Sequence, residues 1–196
     1  MRIVTKIGGD LIKNGLSPDL VNEIFSLCEN NEIVIVHGGG DIVTEIATRL
    51  GHPPKFVTSP KGFRSRYTDK ETIEIFSMVM SGKINKEIVS TLRKSGINAL
   101  GLSGLDGGLV RAQRKNQIII LNDKGRRMLL EGDYTGTIEY VNEDLLVLLL
   151  DNGYIPVISA LAMGEKSEPL NVDGDRMAAN IASAIKADRL ILLTDV

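Results

Sequence analysis

Lys6 with Gly8-Gly9, and His37 with Gly38-Gly39-Gly40, are the residues of this chain best suited to chemistry. At each place an apolar run, Ile3-Val4 and Val34-Ile35-Val36, leads into a glycine turn. Glycines let the backbone approach an anion closely, and peptide N–H groups at the start of a following helix add donors and the positive end of its dipole. Lys6 adds a full positive charge. Each turn alone reads equally well as a joint between strand and helix; together with Lys6 they favour a phosphate site. The P-loop pattern is absent, because Gly82-Lys83 has no glycine five residues earlier, and no G-x-G-x-x-G follows either strand.

A second constellation is Asn171-Val172-Asp173-Gly174-Asp175. It precedes a helical pattern, so Asp175 falls in a first turn, where it either caps amides or points inward to hold the Lys6 amine charged and oriented. A plain acidic helix start is the alternative. Lys61 to Asp69 form a basic loop that leads into a helix capped by Thr68 or Asp69. Arg64 and Arg66 are expected to point apart, leaving one of them to anchor an acidic substrate bidentately; a solvated surface is the alternative. The four glycines between Gly101 and Gly108 predict an unusual turn. His37 and His52 lack metal-ligand spacing. His37, at a strand end, reads as a hydrogen-bonded structural residue rather than a base.

These residues need a frame of alternating strands and helices. Strands are expected at 2–7, 32–37, 154–159 and 189–193, with helices at 18–28 (capped by Ser17), 41–50, 143–151 and 174–186. Two further helices are expected at about 69–81 and 83–95, before a short apolar run at 98–102. Between about 108 and 141 the pattern changes to short β-type pieces, with turns at Arg114-Lys115-Asn116 and Asn122-Asp123-Lys124-Gly125, read as hairpin insertions. The fold class is therefore α/β: a three-layer α/β/α sandwich with a mainly parallel central sheet and β-hairpin insertions. The run Leu190 to Val196 reads as a buried strand that stops where a βα loop should begin, so a further C-terminal piece is expected.

Composition narrows the function classes. The chain has 196 residues, 43% of them hydrophobic, enough for one substantial core. With 23 basic and 25 acidic residues interspersed, it has no general electrostatic reason to bind nucleic acid or a membrane surface. Cys28 is the only cysteine, read as a buried small hydrophobe that suits a reducing cytosol. No apolar stretch reaches the roughly 18 to 20 residues of a membrane span. A soluble, cytoplasmic protein is expected.

Taken together, Lys6-Ile7-Gly8-Gly9, His37-Gly38-Gly39-Gly40, Arg66-Tyr67-Thr68-Asp69, Leu170 to Asp175 and Leu193 to Val196 resemble the amino-acid kinase family over the whole chain, in family order. Within it the chain looks like the acetylglutamate kinase branch, and most like the archaeal [LysW]-aminoadipate/[LysW]-glutamate kinases. Ser59 to Thr68, Gly101 to Gly108 and Gly132 to Gly136 carry that narrower similarity. A standard acetylglutamate kinase has an Asn-Gly-Leu-Arg-Val-Thr type segment where this chain has Arg64-Ser65-Arg66-Tyr67.

The resemblance implies that Lys6 stabilises the transferring phosphoryl group and that Gly8, Gly9 and Gly39 donate backbone N–H bonds to it. Gly39, Gly40, Arg66 and Asn171 would bind the acceptor, Asp175 would organise Lys6 and a second lysine, and Thr194 and Asp195 would begin the nucleotide site. The second family lysine falls beyond Val196. Residues 1–170 would form an acceptor-binding lobe and 171–196 the start of a nucleotide-binding lobe.

The implied cofactor is ATP, with Mg2+ carried on its phosphates and no metal ligand from the protein. The implied reaction makes an acyl phosphate from the side-chain carboxylate of 2-aminoadipate or glutamate borne on an acidic, LysW-like amino-group carrier protein, in lysine or arginine biosynthesis. N-acetylglutamate 5-kinase is the alternative, and a non-catalytic acceptor-binding module a second. Lys55, Lys61, Arg64, Arg111, Arg114 and Lys115 are candidates for a carrier-facing patch. A homodimer is implied through the helix at about 70–80, although its pattern Ile73, Phe76, Val79, Met80 fits burial within one subunit equally well.

Overall fold

The computed structural model describes residues 1–62, 64–122 and 125–194. In chain order its elements are β1 (Arg2–Ile7), α1 (Gly9–Ile12), α2 (Pro18–Cys28), β2 (Glu32–His37), α3 (Gly40–Arg49), β3 (Lys55–Thr58), β4 (Arg64–Tyr67) and α4 (Lys70–Ser77). A π-helical segment (Met78–Ile84) follows, then α5 (Asn85–Lys94), β5 (Ala99–Ser103), β6 (Val110–Arg114), β7 (Gln117–Leu121), β8 (Arg127–Glu131) and β9 (Gly136–Val141). The remainder is α6 (Glu143–Asp151), β10 (Ile155–Ser159), β11 (Leu161–Met163), β12 (Pro169–Asn171), α7 (Gly174–Ala184) and β13 (Arg189–Leu193).

The central sheet is parallel throughout, in the order β13-β1-β2-β10-β5. Every residue of β10 and all but the first of β2 are buried, so both faces of the sheet's centre are covered. At the edge strand β13, Leu190 and Leu192 are exposed, unlike the buried strand expected there. One core joins Val4, Ile35, Val36, Val157 and Ile158 of the sheet to Val43 of α3, Leu92 of α5, Leu146 of α6 and Met177, Ala178 and Ile181 of α7. Ser17, Asp69, Asn142 and Asp173 start their helices by accepting the N–H of Leu20, Thr72, Leu145 and Arg176. Ile7 pairs with both His37 and Leu193, which sets the carboxyl ends of β1, β2 and β13 side by side. Ligands of α/β sheets bind outside those ends.

Two four-stranded sheets flank this frame, in the orders β12-β11-β6-β9 and β4-β3-β7-β8. Hairpin pairing is seen for β7 with β8. β6 pairs instead with β9, and β7 joins β3, so the insertion divides between two sheets. The basic loop of the sequence reading is in part a strand, β4, paired with β3. Of the expected turn at 122–125, Asp123 and Lys124 lie outside the described residues.

The two helices expected at 69–81 and 83–95 form one unbroken helical run, with α4 passing through the π segment into α5. Gly82 does not interrupt it, because the backbone shifts there to bonds one residue longer; Asn85 N–H reaches Met80 O. Ile73, Phe76, Val79 and Met80 are all buried within this one subunit. Cys28 is half-buried against the core, and burial pushes its thiol up to about 11. Among the described residues no helix is long and apolar enough to cross a membrane.

Candidate active site

The side chain of Lys6 leaves β1 toward the first turn of α7, and its Nζ lies 2.9 Å from Asp175 Oδ1. Asp173 already caps that helix, accepting from Arg176 N at 2.9 Å, which leaves the Asp175 carboxylate for the lysine. Gly174 flanks the amine at ordinary contact distance, a Cβ there standing 3.8 Å from Lys6 Cε. A Cβ on Gly8 would stand 4.0 Å from Lys6 Nζ and 3.1 Å from Leu193 O. The ammonium is thus boxed between the first glycine turn and α7.

The two glycine turns touch. A Cβ on Gly9 would lie 3.1 Å from Gly39 N, and one on Gly38 would lie 3.0 Å from Gly9 N. Gly9 is the first residue of α1 and Gly39 the N-cap of α3, positions where helical amides have no partner within their own helix. Gly8 differs from the expectation that it donates to phosphate. Its N–H is given to Leu193 O at 2.9 Å, continuing the β1–β13 ladder, so Gly8 contributes its missing side chain rather than a donor.

Arg66 reaches back from β4 to the second turn. Its Nη2 donates to Gly40 O at 2.9 Å and to Thr44 Oγ1 at 2.7 Å, while Nη1 is buried with no hydrogen-bond partner. Burial lowers the pKa of its guanidinium, opposed by the charge of Asp41. Arg64 and Arg66 do not point apart: both lie over the Phe56 ring, at 4.6 and 5.1 Å, because residues two apart in a strand share a face.

Asn171 closes the group. Its Nδ2 donates to Thr68 Oγ1 at 3.2 Å and its N–H to Tyr134 O at 2.8 Å. A cleft of about 740 Å³ is lined by Arg66, Asn171, Asp173, Arg176 and Lys115 among others, and the glycine turns and Lys6 stand outside that lining. The structure therefore assembles Lys6, Gly8, Gly9, Gly39, Gly40, Arg66, Asn171 and Asp175 into one continuous array. Thr194 Cα comes within 3.7 Å of a Cβ placed on Gly8, while Asp195 lies outside the described residues.

The sequence reading missed three participants. Asp133 is buried and accepts from Thr68 N at 3.1 Å and from the Thr135 hydroxyl, tying β4 to the loop before β9. Burial raises its pKa, against those hydrogen bonds. The segment Gly132 to Gly136 carries family similarity in the sequence, with no role assigned to Asp133. Thr44 carried no signal beyond its helix. Asn85 did carry one, a polar residue in phase with Ile88 and Leu92 on the buried face of α5. Among the described residues no group of three or more His, Cys, Asp or Glu is placed to hold a metal ion.

The profile of the amino acid kinase family matches residues 1–196. The chain belongs to that family. A relative from Cenarchaeum symbiosum (strain A), provisionally named [LysW]-aminoadipate/[LysW]-glutamate kinase, is 53% identical over 99% of this chain and 72% of its own length. The [LysW]-aminoadipate/[LysW]-glutamate kinase of Metallosphaera sedula is 48% identical over 99% of this chain and 73% of its own. Among solved structures, smu.665 from Streptococcus mutans UA159 superposes with a TM-score of 0.82 at 26% identity, over 100% of this chain and 73% of that one. Carbamate kinase from Giardia lamblia bound to AMP-PNP shares the family fold, with a TM-score of 0.62 at 14% identity over 100% of this chain and 74% of its own.

Proposed function

We propose that this protein transfers the γ-phosphate of ATP to the side-chain carboxylate of 2-aminoadipate or glutamate whose amino group is carried by a small acidic protein. The observation that carries phosphoryl transfer is the convergence of the Lys6–Asp175 pair with two touching glycine turns at the carboxyl ends of β1, β2 and β13. Relatives named for LysW-linked aminoadipate and glutamate support the acceptor class.

Phosphoryl transfer asks for positioning and for stabilisation of charge on the equatorial oxygens. Lys6 Nζ supplies a fixed cation, oriented by Asp175. The amides of Gly9 and Gly39 supply donors, and the acceptor carboxylate, already ionised at neutral pH, needs no general base. Arg66 and Asn171, which line the cleft, would bind the acceptor, the guanidinium as its charge partner and the Asn171 side-chain amide as a further donor. Mg2+ brought on ATP would neutralise phosphate charge, with no ligand required from the residues of this site. Residues 171–196 open the nucleotide side and residues 1–170 carry the acceptor side.

The carrier-facing patch is drawn more narrowly than the sequence suggested. Arg114 is committed elsewhere, stacking over Tyr134 and donating Nε to Asp133 O at 2.9 Å, and Arg111 lies over Tyr140. Lys115 and Arg64 line the cleft itself, with Lys55 and Lys61 nearby in the chain, and form the stronger basic rim. A cytoplasmic location and pairing of two copies follow the resemblance alone.

A coupled phosphorylation assay on the full-length protein tests this, offering carrier-linked aminoadipate, carrier-linked glutamate and free N-acetylglutamate. Turnover of a carrier-linked acceptor with little on N-acetylglutamate is expected. Equal turnover of N-acetylglutamate would remove the carrier from the assignment.

A further inference from the structure

His37 is fully buried at the end of β2, immediately before the glycine turn that carries Gly39. Its Nδ1 lies 2.9 Å from Gly38 O, and a carbonyl oxygen only accepts, so Nδ1 carries the proton. The other ring nitrogen, Nε2, lies 3.2 Å from Asn85 Nδ2 and accepts from it. Burial pushes the ring down to about 4, which keeps it neutral and keeps these two roles fixed at neutral pH.

The orientation of Asn85 is itself determined. Its Nδ2 donates to Val157 O at 2.8 Å and its Oδ1 accepts from Lys86 Nζ at 3.0 Å. Reversing the amide would set oxygen against the Val157 carbonyl and nitrogen against the ammonium. The π segment ends at the residue before Asn85, and its extra residue sets the phase at which the Asn85 side chain faces His37 and Val157 of the sheet.

The Gly38 carbonyl and the Gly39 N–H belong to one planar peptide unit and point in opposite directions. A ring that holds the carbonyl from the core side therefore turns the N–H outward, where Gly39 N lies 3.1 Å from the position of a Cβ on Gly9. Gly39 adopts φ +139°, with Ile84 and Met80 of the π segment packed against it, a backbone conformation open to glycine without a Cβ penalty.

We propose that His37 and Asn85 are positioning residues: the imidazole Nδ1–H, its tautomer set by Asn85, holds the Gly38 carbonyl and so aims the Gly39 N–H at the transferring phosphoryl group. The proposal rests on the phosphotransfer reading above. It assigns the buried histidine a task no acid–base role requires.

Two variants of the full-length protein test it. In His37→Asn the side-chain amide can replace the Nδ1–H donor; in His37→Leu no donor is left. His37→Leu is expected to lose about tenfold or more in kcat with the acceptor KM changed little, and His37→Asn to recover most of that loss at a similar unfolding midpoint. Equal loss in both variants, or none in either, overturns the proposal. Nitrogen-15 NMR of the wild-type imidazole gives an arm independent of activity and of variant folding: protonated Nδ1 with bare Nε2 supports it, and the opposite tautomer overturns it. Should the wild type phosphorylate none of the acceptors, the functional reading fails. The inference is then decided by the Gly39 amide resonance, which should respond to a non-hydrolysable ATP analogue in wild type and His37→Asn but not in His37→Leu; an equal response in all three overturns it.

Discussion

The Lys6 ammonium and the Asp175 carboxylate, from the first strand and the last helix of the described chain, meet at 2.9 Å beside the glycine turn of β1. More than half of the Asp175 side chain is exposed, at 56%, so this pair adds at most about 1 kcal/mol to stability. Its value is orientation. Lys6→Ala is expected to lower kcat by about a hundredfold or more with a smaller effect on acceptor KM. Asp175→Asn should shift the unfolding midpoint little and still lower kcat. Steady-state kinetics beside urea unfolding separates the two effects, and an unchanged kcat in Lys6→Ala would remove Lys6 from the mechanism.

Arg66→Lys keeps the charge and loses the fork. Nη2 already serves Gly40 O and Thr44 Oγ1, while Nη1 is directed elsewhere, and a single ammonium cannot occupy both positions. Losing one charge-assisted bond to a carboxylate costs about 1.5–3 kcal/mol, so acceptor KM should rise about tenfold to a hundredfold. A KM within twofold of wild type would place the acceptor carboxylate on another residue.

Gly39→Ala carries two separable penalties. A positive φ of 139° costs a non-glycine residue about 1–3 kcal/mol whatever the space around it. The added Cβ would also sit 2.4 Å from Ile84 Cδ1, the mobile end of a side chain. Adding Ile84→Val should therefore restore part of the stability lost in Gly39→Ala, leaving the backbone term. Denaturant midpoints of the single and double variants measure the division, and full restoration would show that φ strain is negligible there.

Acid should destabilise the fold through His37. Its ring titrates near 6.5 when unfolded and at about 4 when folded, so between those values the unfolded chain binds the proton and the folded chain does not. Stability then rises with pH across that window, is complete above 6.5, and is lost on acidification toward 4, by an upper bound of about 3 kcal/mol. Asp133 acts with opposite sign, since its raised pKa lets the folded state keep a proton that the unfolded state releases above 3.8. Urea midpoints at pH 4 to 7 for wild type and His37→Asn isolate the histidine; parallel curves would contradict the assignment.

What the residues determine by themselves is local. The apolar runs of β1, β2 and β10, the cap at Ser17 and the amphipathic face of α7 depend on neighbours a few positions apart, and each was readable as sequence. The clustering of Lys6, the glycine turns, Arg66, Asn171 and Asp175 was implied by the family resemblance, since the residues alone left an acidic helix start and a solvated basic surface open. Tertiary structure decided which partners these elements meet. β6 pairs with β9 across the β7–β8 hairpin, and the three-residue strands β11 and β12 exist only because the sheet offers them partners. Asp133 and Asn85 acquire their roles from groups far along the chain, Thr68 and His37. Periodicity records which face a residue shows, while a hydrogen bond between distant segments depends on distances that only packing of the whole core sets.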